Sequence, residues 1–112
     1  MQKNTMMPFK IWQLKDVGNT DYAFRDFYEA QKHRLSLKDY KEVYSGQCDA
    51  SRYPNFDALL EHIFMMFNWE TSIPKDFKGH ALSVSDVVQL GKRYYYVDTV
   101  GFQLINKEVL YK

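Results

Sequence analysis

One stretch near the C-terminal end of the chain concentrates the side chains that could take part in catalysis. It holds His80, Ser83, Ser85, Asp86 and Asp98. A histidine base, a serine nucleophile and a carboxylate that orients the histidine are the three roles of an acyl-transfer triad. In an extended strand, however, Ser83 and Ser85 share one face and Asp86 lies on the other. A triad would need a sharp turn inside the motif, so we predict no catalytic residues and a protein that is not an enzyme.

The same serines and aspartates also have a structural interpretation. Serine and aspartate side chains at the entrance to a strand bond nearby backbone N–H groups and so fix a turn. We therefore predict a braced β-hairpin that is entered through the sequence SVSD and closed by VDTVGF. The predicted structural residues of this motif are Ser83, Ser85, Asp86, Asp98, Gly101 and Phe102.

Three consecutive tyrosines in the second strand of this hairpin are candidate binding residues. Alternation along a strand places Tyr94 and Tyr96 on one face and Tyr95 on the other, so at least one of the two faces belongs to the core. An exposed tyrosine face next to Arg93 could stack on nucleic-acid bases or anchor a protein partner. The predicted binding residues are Arg93, Tyr94, Tyr95, Tyr96 and His80.

Charge and composition restrict the class of partner. The chain has 112 residues and a formal net charge of +1 with both signs interspersed, so it has no large basic patch for a phosphate backbone. Aromatic residues make up 17% of the chain. Such a fraction is typical of an aromatic core and also of a surface that binds other proteins. The near-neutral charge favours a protein partner over a nucleic acid.

Neither a metal nor a cofactor is expected. The sequence has no HExxH motif, no paired CxxC, no Gly-rich phosphate loop and no GxSxG nucleophile elbow. The single cysteine, Cys48, cannot form an intramolecular disulfide, and no histidine lies near it in sequence. His62 has no metal-binding residue three or four positions further along a helix.

The length and hydropathy of the chain indicate one cytoplasmic domain. The longest apolar stretch, Ile63–Phe67, is far shorter than the roughly 20 residues of a membrane span, and no apolar run of signal-peptide length opens the chain. We predict a flexible N-terminal tail over residues 1–8, a single domain over residues 9–106 and a C-terminal tail over residues 107–112. No membrane partner is expected, and the sequence leaves the oligomeric state open.

The pattern of apolar residues predicts the elements that position the motif. An apolar stripe at steps of three and four residues, following the start signal Pro54 and Asn55, predicts the main helix. Alternating and β-branched residues predict strands, and Gly91 with Lys92 predicts a tight hairpin turn. The predicted elements are a strand over 9–14, a helix over 22–34 capped by Asn19, Thr20 or Asp21, a strand over 40–46, a helix over 56–67, a hairpin over 84–97 and a strand over 102–105. This β-α-β-α-β-β-β order is typical of an α+β fold with two helices and a small, largely antiparallel sheet.

Several of these segments together resemble the YodL-like domain family, which is found in mobile elements and phages of Gram-positive bacteria. The matching segments are IWQLK, YKEVY, FN, DFKGHALSVSDVV and YYVDTVGF, in family order over nearly the whole chain. The chain departs from the family pattern at Ala81 and Thr99, where the family has serine, so neither position is a required nucleophile. The link between the hairpin strands is also short. The mobile-element setting implies interaction with a host, including counter-defence.

Two functional hypotheses follow. The first is a non-enzymatic protein-interaction module, such as an inhibitor of a host factor or defence system, that binds a host or element-encoded protein through the surface around the hairpin. The alternative is a small domain that binds single-stranded nucleic acid through a tyrosine-lined face.

Overall fold

The fold is seen in a computed structural model, which describes residues 6–69 and 71–106. Five antiparallel strands form one sheet in the order β2-β1-β3-β4-β5. The strands are β1 (Met6–Leu14), β2 (Tyr40–Asp49), β3 (Val87–Leu90), β4 (Arg93–Val97) and β5 (Phe102–Ile105), and the two α-helices are α1 (Phe27–Lys32) and α2 (Phe56–Met66). This arrangement confirms the predicted α+β class and the order of the elements.

The main helix, α2, forms where the apolar stripe predicts it. The side-chain oxygen of Asn55 accepts a hydrogen bond of 2.8 Å from the amide of Ala58 and so caps the first turn. Leu59, Leu60 and Ile63 point from the helix into the core and are almost fully buried. The predicted start of the helix is therefore confirmed.

The first helix is much shorter than predicted. Phe24 has a backbone φ of +61°, a left-handed conformation that an α-helix cannot contain. The chain enters the helix only after this residue, and Asp26 caps it by accepting a 2.9 Å hydrogen bond from the amide of Glu29. Arg34, with a φ of +57°, follows its end. The predicted range of 22–34 is thus wrong at both ends, and the predicted caps Asn19, Thr20 and Asp21 lie outside the helix.

The first two strands are longer than predicted. β1 already begins at Met6, which pairs with Asp49 of β2, so residues 6–8 are part of the sheet. Gly46 does not end β2, which continues to Asp49. A Cβ atom at Gly46 would lie 2.8 Å from the ring of Tyr44 and 3.2 Å from the ring of Phe9. The glycine instead allows a close approach inside the sheet. Residues 1–5 and 107–112 of the two predicted tails lie outside the described residues.

Both faces of the sheet are covered. On one face, α2 and Phe67 pack against apolar residues of β1–β4: Phe9, Ile11, Val43, Val88, Leu90, Tyr95 and Val97. On the other face, Tyr22, Ala30 and Leu35, from the segment that contains α1, pack against Leu14, Tyr40, Val87, Tyr96 and Ile105. Among the described residues, no helix is long and apolar enough to cross a membrane.

Candidate functional site

The sequence SVSD forms a turn, not the start of a strand. The amide of Ser83 donates a 3.0 Å hydrogen bond to Oδ2 of Asp86, and the amide of Asp86 donates one of 3.1 Å to the carbonyl of Ser83. Ser85 inside the turn has a φ of +83°. Strand β3 therefore begins at Val87, three residues later than the predicted hairpin. The turn is closed by an aspartate that accepts from a backbone amide, as the structural interpretation of the motif predicts.

Asp86 is a buried carboxylate with two donors on one oxygen. Only 2% of the residue is exposed, and its Oδ2 also accepts a 3.0 Å hydrogen bond from Nε2 of Gln13. Burial raises the pKa of Asp86 to about 6, while the Ser83 amide, the Gln13 side chain and the nearby His80 oppose the rise. Burial thus disfavours the charged carboxylate, and these donors partly compensate by hydrogen bonding to it.

Gln13 connects this carboxylate to the backbone of His80. Its Nε2 donates to the carbonyl of His80 at 2.8 Å, and its Oε1 accepts from the amide of His80 at 3.1 Å. A Cβ atom at Gly79 would overlap Oε1 of Gln13, so this contact requires glycine. Gln13 is only 1% exposed, and no motif in the sequence indicates its role.

Gln13 bonds both His80 and Asp86, but His80, Ser83, Ser85 and Asp86 are not arranged as a catalytic triad. Nδ1 of His80 lies 2.8 Å from the carbonyl oxygen of Ala81 and 3.3 Å from Nε2 of Gln13. Oγ of Ser83 is buried and has no hydrogen-bond partner among the described residues. Oγ of Ser85 accepts a hydrogen bond from a backbone amide. In the described part of the chain, no hydrogen bond joins the histidine to either serine.

The three tyrosines of β4 do not form an exposed face. Tyr96 is 0% and Tyr95 is 7% exposed, on opposite faces of the sheet, and Tyr94 is half-buried. Arg93 is exposed, and its guanidinium lies 5.0 Å from the centre of the Phe56 ring on α2. Burial therefore removes Tyr95 and Tyr96 from the predicted binding surface.

The motif residues instead hold the segment that leads into α1. Oγ of Ser85 accepts a 3.0 Å hydrogen bond from the amide of Phe24, and Oδ1 of Asp98 accepts one of 3.1 Å from the amide of Phe27. The hydroxyl of Tyr96 donates a 2.5 Å hydrogen bond to the carbonyl of Arg25. Three side chains from the hairpin thus fix three backbone positions of one short segment.

The other two structural residues close the end of the hairpin. Gly101 has a φ of +73°, and its carbonyl accepts a 3.0 Å hydrogen bond from the amide of Asp98. Phe102 packs against Phe64 of α2, with ring centres 6.3 Å apart. Asp98 also accepts a 2.8 Å hydrogen bond from the amide of Thr99, so its carboxylate joins this turn to the segment before α1.

The segment held in this way presents two exposed aromatic rings. Phe24 is 57% and Tyr28 is 66% exposed. Nζ of Lys32 lies 4.3 Å from the centre of the Tyr28 ring, within the range of a cation–π contact. We call Phe24, Arg25, Tyr28 and Lys32 the Phe24 surface. Helical periodicity predicts Phe24 inside a helix, so the sequence pattern does not indicate this surface. The signal that could have found it is the pair Asp26 and Glu29, which has the spacing of a capping box.

Cys48 and His62, two further residues of types that can do chemistry, lie in partly buried or aromatic surroundings. Burial raises the pKa of the Cys48 thiol, with a smaller contribution from the charge of Asp49, so the reactive thiolate is disfavoured. The ring of His62 packs beside that of Tyr53, with centres 5.3 Å apart. Over residues 6–69 and 71–106, no group of three or more potential metal ligands is found.

The fold and the motif define a class of small α+β domain in which polar residues of a hairpin hold a short helix against an antiparallel sheet. The family model described as YodL-like domain matches residues 8–107 of the chain. Because this match covers most of the chain, the protein belongs to the YodL-like family. The resemblance of its motifs to that family is confirmed.

The chain is also similar to a viral protein. It is 35% identical over 80 residues to an uncharacterized protein of Acanthamoeba polyphaga mimivirus, and the alignment covers 62% of this chain and 71% of the viral protein. No solved structure matches the chain.

Proposed function

We propose that this protein is a non-enzymatic protein-interaction module that binds its partner through the Phe24 surface. The observation that carries the proposal is the conformation of Phe24, an exposed aromatic residue with a φ of +61°. A bulky residue in the left-handed region costs about 1–3 kcal/mol and persists only where its surroundings fix it. Such strained residues cluster at ligand contacts, so the strain supports a binding role.

The composition of the Phe24 surface suits a protein partner. Aromatic and arginine side chains dominate the residues whose truncation weakens protein interfaces most. Phe24, Arg25 and Tyr28 supply these types within five positions of the chain. Because the hairpin already fixes the backbone of Phe24 and Arg25, less conformational entropy is lost on binding.

The hydrogen bonds of the motif favour binding over catalysis. Asp86, Ser85 and Asp98 each accept hydrogen bonds from backbone amides. A general base or a nucleophile needs a polar atom that can face a substrate. Ser85 and Asp98 hold the segment that carries Phe24, and Asp86 closes the turn that contains Ser85, which supports a non-enzymatic function.

The partner that we propose is a cytoplasmic host protein, and the proposed action is inhibition of a host factor or defence system. The similarity to a mimivirus protein and the mobile-element setting that the family resemblance implies support this proposal. The burial of Tyr95 and Tyr96 supports this proposal over the alternative, single-stranded nucleic-acid binding through a tyrosine-lined face.

Affinity capture with matched variants tests the proposal. The wild-type protein, Phe24→Asn and Tyr28→Ala are immobilised and exposed to host lysate, and the captured proteins are quantified by mass spectrometry. Leu104→Ala, which truncates another apolar residue with 56% exposure, is the control. We expect a host protein whose capture falls about tenfold or more in the two Phe24-surface variants, the loss typical of a hot-spot residue, and is unchanged in the control. Equal capture by all four proteins would overturn the proposal.

A further inference from the structure

The sheet ends at β5, a strand without charged residues. In the strand order β2-β1-β3-β4-β5, β5 pairs with β4 and forms one edge of the sheet. Its sequence is FQLI, and Leu104 is 56% exposed. Natural proteins usually protect an edge strand with charged side chains, a proline or a covering loop, because its unpaired backbone groups can bind another strand.

The opposite edge of the sheet, β2, has such protection. Lys41 and Glu42 are exposed, and the carboxylate of Glu42 lies 2.8 Å from Nζ of Lys10. The amide of Lys78 donates a 3.1 Å hydrogen bond to the carbonyl of Val43, so the chain after α2 covers part of this edge. Of the two edges, β5 is therefore the less protected.

A groove that contains two basic residues lies beside β5. The residues that line this groove of about 330 Å³ are Lys92, Arg93, Leu104, Ile105 and Asn106. Because Ile105 pairs with Tyr94, Arg93 and Asn106 lie at the same end of the β4–β5 pair. We call Lys92, Arg93, Leu104 and Asn106 the β5 edge site.

The charges around the β5 edge site favour an acidic occupant. No lining residue is acidic. Asp57 of α2 is exposed and follows Phe56, on which Arg93 stacks, but within residues 6–69 and 71–106 no ion pair joins Asp57 to either cation. The next two residues of the sequence after Asn106 carry opposite charges and add no net charge. Positive charge beside a groove is complementary to an acidic partner.

Leu104 and Arg93 lie on the same face of the sheet. Leu104 pairs with Tyr95, which packs on the α2 face, and the guanidinium of Arg93 lies 5.0 Å from the ring centre of Phe56 on α2. Side chains of a strand alternate between the two faces. In a strand added to β5, a residue opposite Leu104 and the residue two positions away would therefore both lie on this face, the second at the level of Asn106.

We propose that β5 pairs with an extended segment of a partner protein in which an aliphatic and an acidic residue are separated by one position. Backbone hydrogen bonds to the edge of β5 hold the segment, and its aliphatic side chain packs against Leu104. Its carboxylate is attracted by Lys92 and Arg93. The site is separate from the Phe24 surface and does not depend on its function, so Leu104→Ala remains a control for capture through that surface.

Peptide binding to the full chain tests the proposal. The probes are three labelled peptides of equal length with the same alternating leucine and threonine sequence. They differ only at the position two residues after the central leucine, which is glutamate, glutamine or lysine. Fluorescence anisotropy measures their affinities.

We expect the glutamate peptide to bind at least about tenfold more tightly than the glutamine peptide. Added salt should weaken the glutamate peptide selectively, because the charges are exposed. The lysine peptide should bind more weakly than both. If the glutamate peptide does not bind, or if the lysine peptide binds equally well, the proposal is wrong.

N-methylation of the glutamate peptide tests whether it binds as a strand. Amides of successive residues point to opposite sides of a strand, so only one alternate set faces β5. Methylation of that set should abolish binding, and methylation of the other set should leave most of it. Equal affinities of the two methylated peptides would overturn the proposal.

Two variants and two controls locate the interaction. Lys92→Glu should lower the affinity for the glutamate peptide about tenfold without weakening the glutamine peptide, whereas Leu104→Ala should weaken both. Lys15→Glu, the same change at an exposed lysine beyond β1, and Phe24→Asn should change neither affinity. Equal affinities of the glutamate peptide for Lys92→Glu and the wild-type protein would overturn the proposal. So would a protein that dimerises alone in sedimentation and becomes monomeric in Leu104→Ala, since the occupant would then be a second copy of the chain.

Discussion

The two faces of the sheet are covered by different physical means. On one face, the 11-residue helix α2 supplies a continuous apolar stripe, and burial of apolar area holds it there. On the other face, α1 has only 6 residues, far fewer than a helix needs for stability by itself. The backbone that leads into it donates hydrogen bonds to Ser85 and Asp98 and accepts one from Tyr96, which together fix it.

This difference explains why the polar residues of the hairpin motif occur together. A short, irregular segment can cover a sheet only if its backbone polar groups find partners. The motif supplies those partners, and it does so for a backbone that contains the left-handed residue Phe24. We infer that packing on the α2 face supplies most of the free energy of unfolding. The strained backbone at Phe24 on the α1 face lowers this free energy in part, and it places the Phe24 side chain at the surface.

The largest expected effect is on the α2 face. Phe67 is 0% exposed and contacts the rings of Phe9, Tyr44 and Phe77, with centres 6.2, 5.0 and 4.9 Å away. Phe67→Ala should lower the free energy of unfolding by about 3–5 kcal/mol, because it removes a large ring and leaves a cavity. Urea denaturation measures the change.

Met65→Ala, in the last turn of α2, is the control, because Met65 is 52% exposed. Its effect should stay within about 0.5 kcal/mol, as is usual for surface substitutions. If both variants were destabilised equally, packing against the sheet would not be what holds α2.

The next effect is a pH dependence that comes from Asp86. Its pKa in the fold is about 6, above the ordinary value of 3.8, so the fold favours the neutral carboxyl group. The stability that this group contributes is fully present below about pH 4 and is lost as pH rises through 6. For a shift of this size the loss is up to about 3 kcal/mol by linkage.

Comparison with Asp86→Asn isolates this contribution from those of the other carboxylates. The variant keeps an oxygen that can accept from Ser83 and Gln13 but cannot ionise. The difference in unfolding free energy between the variant and the wild-type protein should grow in favour of the variant from pH 4.5 to pH 7.5. Parallel pH profiles in urea denaturation would show that Asp86 does not titrate in this range.

A smaller and more local effect is expected from Ser85→Ala. The change leaves the amide of Phe24 without the acceptor that lies 3.0 Å away, at a cost of about 1–3 kcal/mol. Because α1 depends on such hydrogen bonds, amide hydrogen exchange should accelerate at residues 24–27 more than in α2. Equal acceleration in both segments, measured by mass spectrometry, would contradict the distinction between the two faces.

The difference between the α2 face and the α1 face also explains which elements the sequence predicts and which it does not. The main helix follows from Asn55 and an apolar stripe, because capping and periodicity are properties of neighbouring residues. The bounds of α1 do not, because Phe24 is held by Ser85, which lies 61 positions later in the chain. Helical periodicity within the segment carries no information about that partner.

The candidate site was only partly accessible to sequence analysis for the same reason. The hydrogen bond from the Ser83 amide to Asp86 closes a local turn, and residue types at short spacing predict such turns. The burial of both Tyr95 and Tyr96 requires that both faces of the sheet be covered, which strand alternation alone does not reveal. Gln13 contacts His80 and Asp86 at separations of 67 and 73 positions, and a polar residue in a predicted strand gives no sign of such partners.

The smallest expected effect on stability is that of Phe24→Asn, which is also the sharpest test of the difference between the α1 and α2 faces. Asn adopts the left-handed conformation more readily than an aromatic residue does, so Phe24→Asn relieves strain while keeping the backbone amide that donates to Ser85. The side chain is 57% exposed, so little apolar burial is lost. The free energy of unfolding should rise, by less than about 1 kcal/mol.

If the α1 face presents Phe24 for binding, this slightly more stable variant should also lose the captured host partner. Greater stability together with weaker binding is the result expected where strain serves function. A clear loss of stability in urea denaturation would instead mean that the exposed ring contributes to the cover of the sheet. The left-handed backbone at Phe24 would then be a by-product of packing, and the two faces would differ less than the hydrogen bonds indicate.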